Sequence, residues 1–417
     1  MYKKRLFIAI LAAISLSSCG EKSTNAEKNT TASGVTKIVI WEQMEPEGEK
    51  VFKATVAQFN QANPQIQVEV VHYPNEDLRT NFQNAALTGA GPDLVYGPTD
   101  TIGIFHTSDL IQPIEGFIDQ TTLASLDPKA LAAGSVDNKT YMLPDINGNQ
   151  IAMIYNKKLV SKPPTTWADF VTVTSKLQDP SKKKFGFAYF EKEPYWFVGF
   201  YQGFGGKLLD DNNAPTLDNA AMVSALQFAY DIQAKYHLGF KGMDYDQTHE
   251  LFKSGNVGII LNGSWSWQDY VKSGVDLGIA PMAALPNGKI PIFLSSTKGF
   301  MINKNDTVTA KKAAINQFFA FDLNPDNNAK YALSQSQLPT VTAALSLPNV
   351  KNDALIQASI KSMQYTTPMP IAPQMRAVWD AIRPNLDAVI NGQMSPTDAS
   401  KKIQQDAIQG ISTIQGK

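Results

Sequence analysis

Residues 36–98 contain, in order, TKIVIWE (36–42), a run with Val51, Phe52, Val56 and Phe59 on one helical face, IQVEVVHY (66–73), a second run with Leu78, Phe82 and Ala85, and TGAGPDLVYGP (88–98). The first piece is β-branched at its centre and predicts a buried strand. The apolar spacing over 51–59 predicts a helix that stops at Asn63-Pro64, and Ile66, Val68 and Val70 alternate as in a strand. A Gly-rich turn then leads into another short strand. Strand, helix, strand, helix, strand at this spacing is the βαβ pattern, which predicts an α/β unit built on a mainly parallel sheet.

A second unit of the same kind starts at IAMIYNK (151–157). It continues with a helix after Thr165-Thr166, the strand FGFAYF, a long helix from Asn219 to Tyr236 and the strand VGIILNG. The helix AVWDAIRPNLDAVI follows, and Ser395-Pro396, a favourable cap and first-turn pair, opens the last helix. At 417 residues the chain is long enough for two such units. It shows no internal repeat of 20–50 residues.

Ahead of this lies an export signal. Lys3, Lys4 and Arg5 precede LFIAILAAISL, an apolar run too short to span a bilayer, and LSSC follows. Leu16, two serines and Cys19 resemble a bacterial lipobox, which implies cleavage before Cys19 and its acylation. Cys19 is the single cysteine of the sequence, so no disulfide competes for it. Residues 20–35 are polar, and roughly 16 such residues reach about 50 Å when extended, enough for a flexible tether. The organisation expected is a signal peptide (1–18), a lipid-anchored tether (19–35), a first lobe (36–147 and 294–341) and a second lobe (148–293 and 342–417). The mature chain is expected at the extracytoplasmic face of a cell membrane, extracellular or periplasmic, held by its anchor.

Charge and motifs exclude several functions. Lys+Arg 37 against Asp+Glu 38 leaves a net charge of -1, so there is no general field for nucleic acid. His72, His106, His237 and His249 have no metal-ligand spacing, and neither a metal nor a cofactor is expected. No GxSxG elbow, Walker A or strand-borne GxGxxG occurs. Glu191 and Glu193 are the nearest approach to a glycosidase pair. Acids so close in sequence rarely face one another across a scissile bond. A non-enzyme is expected.

What the chain does contain is aromatic residues beside polar ones. Sugar rings have apolar faces and polar edges, so saccharide sites combine stacking rings with groups aimed at hydroxyls. EKEPYWF carries Glu193, Tyr195 and Trp196, NGSWSW carries Trp265 and Trp267, and QMRAVWDAIR places Met375, Trp379 and Arg383 at i, i+4, i+8. Each cluster by itself is matched by a packed-core reading, since aromatics mostly bury themselves. Arg383 in line with Trp379 and Pro194 ahead of Tyr195 both weaken that reading.

KIVIW, TGAGPDLVYGPTDTIG, MIYNKKL, PPTTWADF, EPYW, LNGSWSW and PQMRAVWDAIR together resemble, in order, segments of the maltose/maltodextrin-binding proteins, the solute receptors of ATP-binding-cassette sugar importers. The resemblance runs from about Lys37 to the end. It implies a periplasmic-binding-protein-like fold, two α/β lobes hinged by several crossing segments and closing over a sugar. By that resemblance Tyr195, Trp265 and Trp379 are stacking residues. Glu193, Asp100 and Arg383 are polar contacts, and Trp196, Met369 and Asn149 line the cleft. Trp41 and Glu45, with Glu47, are contacts from the first lobe. Trp267 is expected to pack behind Trp265. Gly97 stands where enteric members carry a stacking tryptophan, and Asn149 near a position that is an acid there, which implies a weaker or reshaped subsite. The implied partners are a maltodextrin-type oligosaccharide, the transmembrane subunits of a permease and the membrane through the anchor, with the receptor a monomer. The alternatives are the same receptor for another oligosaccharide or for glycerol phosphate, and a secreted glycoside hydrolase.

Overall fold

A computed structural model describes residues 34–306 and 309–414. The signal peptide, Cys19 and nearly all of the tether lie outside the described residues. No helix among the described residues is long and apolar enough to cross a membrane.

Two sheets carry the fold. In the larger, the strand Thr36–Glu42 pairs in parallel with Ile66–His72 on one side and Leu94–Pro98 on the other. The long strand Phe293–Asn303 then runs antiparallel to both Leu94–Pro98 and Met142–Gly148. The smaller sheet orders Leu277–Ala280, Ile151–Asn156, Val257–Gly263 and Phe185–Tyr189, with only the last pair parallel. The α/β layering is as the sequence predicts, but the sheets are mixed rather than mainly parallel. The opening βαβ units are parallel. The antiparallel pairs come from strands that return to a sheet after a long excursion, a topology that local periodicity does not encode.

Strand alternation sorts the core of the larger sheet. Ile38, Ile40, Tyr96, Phe300 and Ile302 pack on one face with Phe52 and Phe59 of the helix Pro46–Ala62 and with Phe318. Val95 and Met301, one residue out of phase, pack on the other face with Leu78, Phe82 and Phe105. A separate core holds the second sheet, with Phe187, Phe197, Phe200, Trp267 and Tyr270 fully buried.

The helix starts are set by capping side chains. Thr166 accepts from the Asp169 amide, Asn219 from Met222 and Ser395 from Asp398, each satisfying an otherwise orphaned N–H. The helices Trp167–Leu177, Ala220–Ala234 and Pro396–Ile414 follow.

The chain passes between the cores at three places. Met142–Gly148 gives way to Ile151–Asn156 through Gly148 and Asn149, whose φ of 144° and 52° make the corner. The strand Phe293–Asn303 begins in the second core with Phe293 and Leu294 and ends in the first with Phe300 and Ile302. The segment 342–362 touches both, through Ala344, Val350 and Ile356 on the first core and Leu355 and Ala358 on the second.

Candidate binding cleft between the lobes

The cleft occupies the space where the carboxyl ends of the parallel strands point, as open α/β sheets dictate. Gln43 and Glu45 follow the first strand, Glu76 follows the second, and Pro98 and Asp100 close the third. From the other lobe, Phe190, Glu193, Tyr195 and Trp196 follow Phe185–Tyr189, and Trp265 follows Val257–Gly263. Together with Asn149, Tyr245, Lys298, Met369, Trp379 and Arg383 they line a cavity of about 270 Å³.

The aromatic wall is held by hydrogen bonds at its polar ends. Glu193 caps the helix Pro194–Gly203, with Pro194 in its first turn, and this presents Tyr195 to the cleft. The Tyr195 hydroxyl lies 2.5 Å from the Asn149 carbonyl and 3.2 Å from that of Leu294, so it is anchored to two of the crossing segments. Trp265 donates its indole N–H to the Tyr245 hydroxyl at 3.0 Å. A Cβ at Gly263 would stand 2.1 Å from the Trp265 ring, so only glycine lets the ring lie against the strand. Tyr195 and Trp265 have centroids 6.5 Å apart, and Trp196 meets both edge-on at 6.1 and 6.0 Å.

The polar groups are chemically distinct. Trp379 donates to one oxygen of Asp100 at 3.2 Å, while the other oxygen is buried with no partner among the described residues. Burial, against the Trp379 hydrogen bond, pushes the Asp100 carboxyl up to about 6. Burial also raises Glu193, against an ion pair with Arg383, and raises Glu45, against the charge of Lys298. Glu76 goes the other way. Its burial is outweighed by Arg376, Arg79 and Arg383, which hold it below the usual carboxylate range. Glu76 stands on the first lobe, 3.2 Å from Arg376 and 3.6 Å from Arg383 of the second, so this cluster bridges the mouth of the cleft. Glu47 with Lys272, and Gln268 with the Leu333 carbonyl, join the lobes elsewhere.

One consequence is testable in stability. Arg383→Met leaves the largely buried Glu193 without its guanidinium. The variant should lose about 1–2 kcal/mol at pH 8, a figure discounted for the partial exposure of the pair. The loss should shrink toward pH 5 as Glu193 takes up a proton. Thermal melts of both proteins across that range check it, and a pH-independent difference would contradict it.

Of the site residues expected from the sequence, Glu45, Asp100, Asn149, Glu193, Tyr195, Trp196, Trp265, Met369, Trp379 and Arg383 line this one cavity. Trp41 does not. It lies out of phase with buried Ile40 and Glu42 and packs on Tyr73, centroids 4.8 Å apart, on the far side of the sheet. Glu47 is turned to Lys272 instead. Trp267 is fully buried, but the ring that backs Trp265 is Trp196. Met375, in line with Trp379, belongs to the second core. Glu191 faces away from Glu193's cleft, accepting from the Gly242 and Met243 amides. Beside Gly97, the space for a side chain meets Gln43 at 3.5 Å. Outside the cleft, Glu42, Glu49 and His72 converge, with Glu42 already accepting from the Met44 amide and meeting the His72 ring at 3.2 Å.

Gln43, Glu76, Pro98, Phe190, Tyr245 and Lys298 complete the lining and were not singled out from the sequence. Gln43 and Phe190 sit just beyond strand carboxyl ends, Pro98 ends its strand and Glu76 opens the helix after one, and that position is a usable signal. Tyr245 and Lys298 carry no such mark.

Comparison with known proteins agrees with this geometry. The chain is 30% identical over 359 residues to the maltotriose-binding protein of Pyrococcus abyssi, covering 86% of this chain and 78% of that one. It is 26% identical over 424 residues to the galactooligosaccharide-binding protein of Bacillus subtilis, covering 98% and 97%. The maltose/maltodextrin-binding domain from Bdellovibrio bacteriovorus, solved bound to maltotriose, superposes with a TM-score of 0.86 at 31% identity, over 90% of this chain and 100% of that one. The Thermus thermophilus maltotriose-binding protein superposes at 0.82 and 26% identity, over 90% and 100%. Residues 54–358 match the bacterial extracellular solute-binding protein family, and with this two-lobed fold and its cleft the chain belongs to that family.

Proposed function

We propose that this protein is a membrane-tethered, non-catalytic receptor that captures a maltooligosaccharide between its lobes and hands it to the transmembrane subunits of an importer. Glucose units stack on Tyr195, Trp265 and Trp379, and their hydroxyls pair with Asp100, Glu193 and Arg383. The observation that carries this reading is one cavity walled by aromatic rings from four separate segments, with a buried Asp100 oxygen that has no partner among the described residues. Such an oxygen is costly unless a ligand hydroxyl meets it. Relatives named for maltotriose and maltodextrin add weight.

The lining also argues against a phosphate ester. Glu45, Glu76, Asp100 and Glu193 face Lys298 and Arg383, which leaves acids in excess. A neutral sugar fits that balance. Because both lobes supply contacts, the closed state gains most from the ligand, and binding and closure are coupled. On this reading the lobes divide as 36–147 with 294–341 and 148–293 with 342–417, and acylated Cys19 keeps a monomeric receptor beside its permease.

Calorimetry against maltose, maltotriose, a cyclodextrin, a galactooligosaccharide, cellobiose and glycerol phosphate tests the proposal. Maltotriose should bind, with no glucose released on long incubation. Silence from every α-glucan would end it, and a galactooligosaccharide binding more tightly than maltotriose would redirect it to the sugar named for the Bacillus relative.

A further inference from the structure

Lys298 lies in the strand Phe293–Asn303, next to a register shift between Lys298 and Gly299 against the strand Met142–Gly148. A Cβ at Gly299 would stand 2.0 Å from the Leu143 carbonyl oxygen, so the backbones press together there. Such irregularities re-aim side chains beside sites, and this one delivers Lys298 into the cavity. Its ammonium stands 5.3 Å over the centroid of Trp265, a ring of the opposite lobe. Among the described residues it meets no carboxylate in an ion pair and no hydrogen-bond acceptor. Three N–H donors therefore face the cavity beside an aromatic stacking surface.

We propose that Lys298 is a specificity-determining contact whose ammonium donates to hydroxyl oxygens on the edge of the saccharide unit stacked at Trp265. The assignment rests on the saccharide reading above. It goes further by making affinity depend on the charge of one side chain that closure brings across from the other lobe.

The charge can be followed by pH. Burial, against the nearby Glu45 carboxylate, pushes Lys298 down to about 8. The other titratable groups that face it are shifted by burial and by neighbouring charges. Asp100 sits at about 6, burial raises Glu45 and Glu193, and Glu76 is lowered by its arginines. Burial lifts Tyr195 and Tyr245 above the ordinary tyrosine value. With its value near 8, Lys298 loses its charge between pH 7 and 9.5.

Maltotriose titrations of the wild type, Lys298→Met and Lys298→Arg by calorimetry at pH 7 and 9.5 decide the matter. The wild type should weaken about tenfold at the higher pH, the scale of a hydrogen bond from a charged donor. Lys298→Met should be weaker by a similar factor at pH 7 and flat with pH. Lys298→Arg should recover most of the affinity and stay flat, because a guanidinium does not deprotonate here. A methionine variant within twofold of the wild type at pH 7, or a flat wild-type profile, overturns the assignment. The wild-type profile decides the question even if the methionine variant fails to fold. A wild type that binds no maltooligosaccharide overturns the saccharide reading, and this assignment with it.

Discussion

Trp265→Ala is expected to weaken maltotriose binding by on the order of 100-fold, or about 3 kcal/mol, as loss of a central aromatic anchor does. The ring's indole N–H is fixed by Tyr245 and its edge by Trp196, so it reaches the ligand already ordered and loses little freedom on binding. Alanine removes both the stacking face and that rigidity. It also leaves a cavity beside Trp196, and a drop of a few kcal/mol in stability comes with it. Trp265→Phe separates the effects, because it keeps a flat ring and loses only the Tyr245 hydrogen bond. Calorimetry on both variants, with melting temperatures for each, should give a large affinity loss for alanine and a modest one for phenylalanine. Full affinity in a folded alanine variant would remove Trp265 from the site.

Asp100→Asn should change affinity and stability in opposite directions. The charged carboxylate has one oxygen held by Trp379 and one without a partner among the described residues. A ligand hydroxyl donating to that second oxygen makes a charge-assisted hydrogen bond, and its loss should cost on the order of 10- to 100-fold in affinity. The stability effect follows from the raised pKa. With the folded-state value at about 6, against an ordinary 3.8, the native protein binds the proton more readily than the unfolded chain. Ionised Asp100 therefore destabilises the ligand-free fold, with no penalty below about pH 4 and the full penalty above about pH 6. The asparagine variant should melt higher than the wild type at pH 7.5 and equally at pH 4. Equal melting temperatures at both pH values would show that the carboxylate is not held at a cost. The wild type should also lose affinity as pH falls through about 6, and the variant should not.

Most of the fold was legible because its signals are local. Thr166, Asn219 and Ser395 announce their helices through capping bonds to residues three positions on, and Phe52 and Phe59 show the buried face by spacing. The antiparallel insertion of Phe293–Asn303 was not legible, since its partners at 94–98 and 142–148 lie far away in sequence. In the site, the aromatic clusters stand out because Tyr195, Trp265 and Trp379 each sit beside polar residues in an apolar context. Trp41 was expected as a contact from the family resemblance alone, yet a one-residue phase on a strand turns it to the other side. Lys298 was invisible because a backbone irregularity, not a motif, aims it.

The strand Phe293–Asn303 is a single ribbon seated in both cores. An extended backbone resists stretching but tolerates twist, so any relative motion of the two cores would be a turn about this ribbon rather than a slide along it. The ion pairs of Glu76 with Arg376 and Arg383 lie off that ribbon, at the mouth of the cleft, so a rotation about it would strain them first.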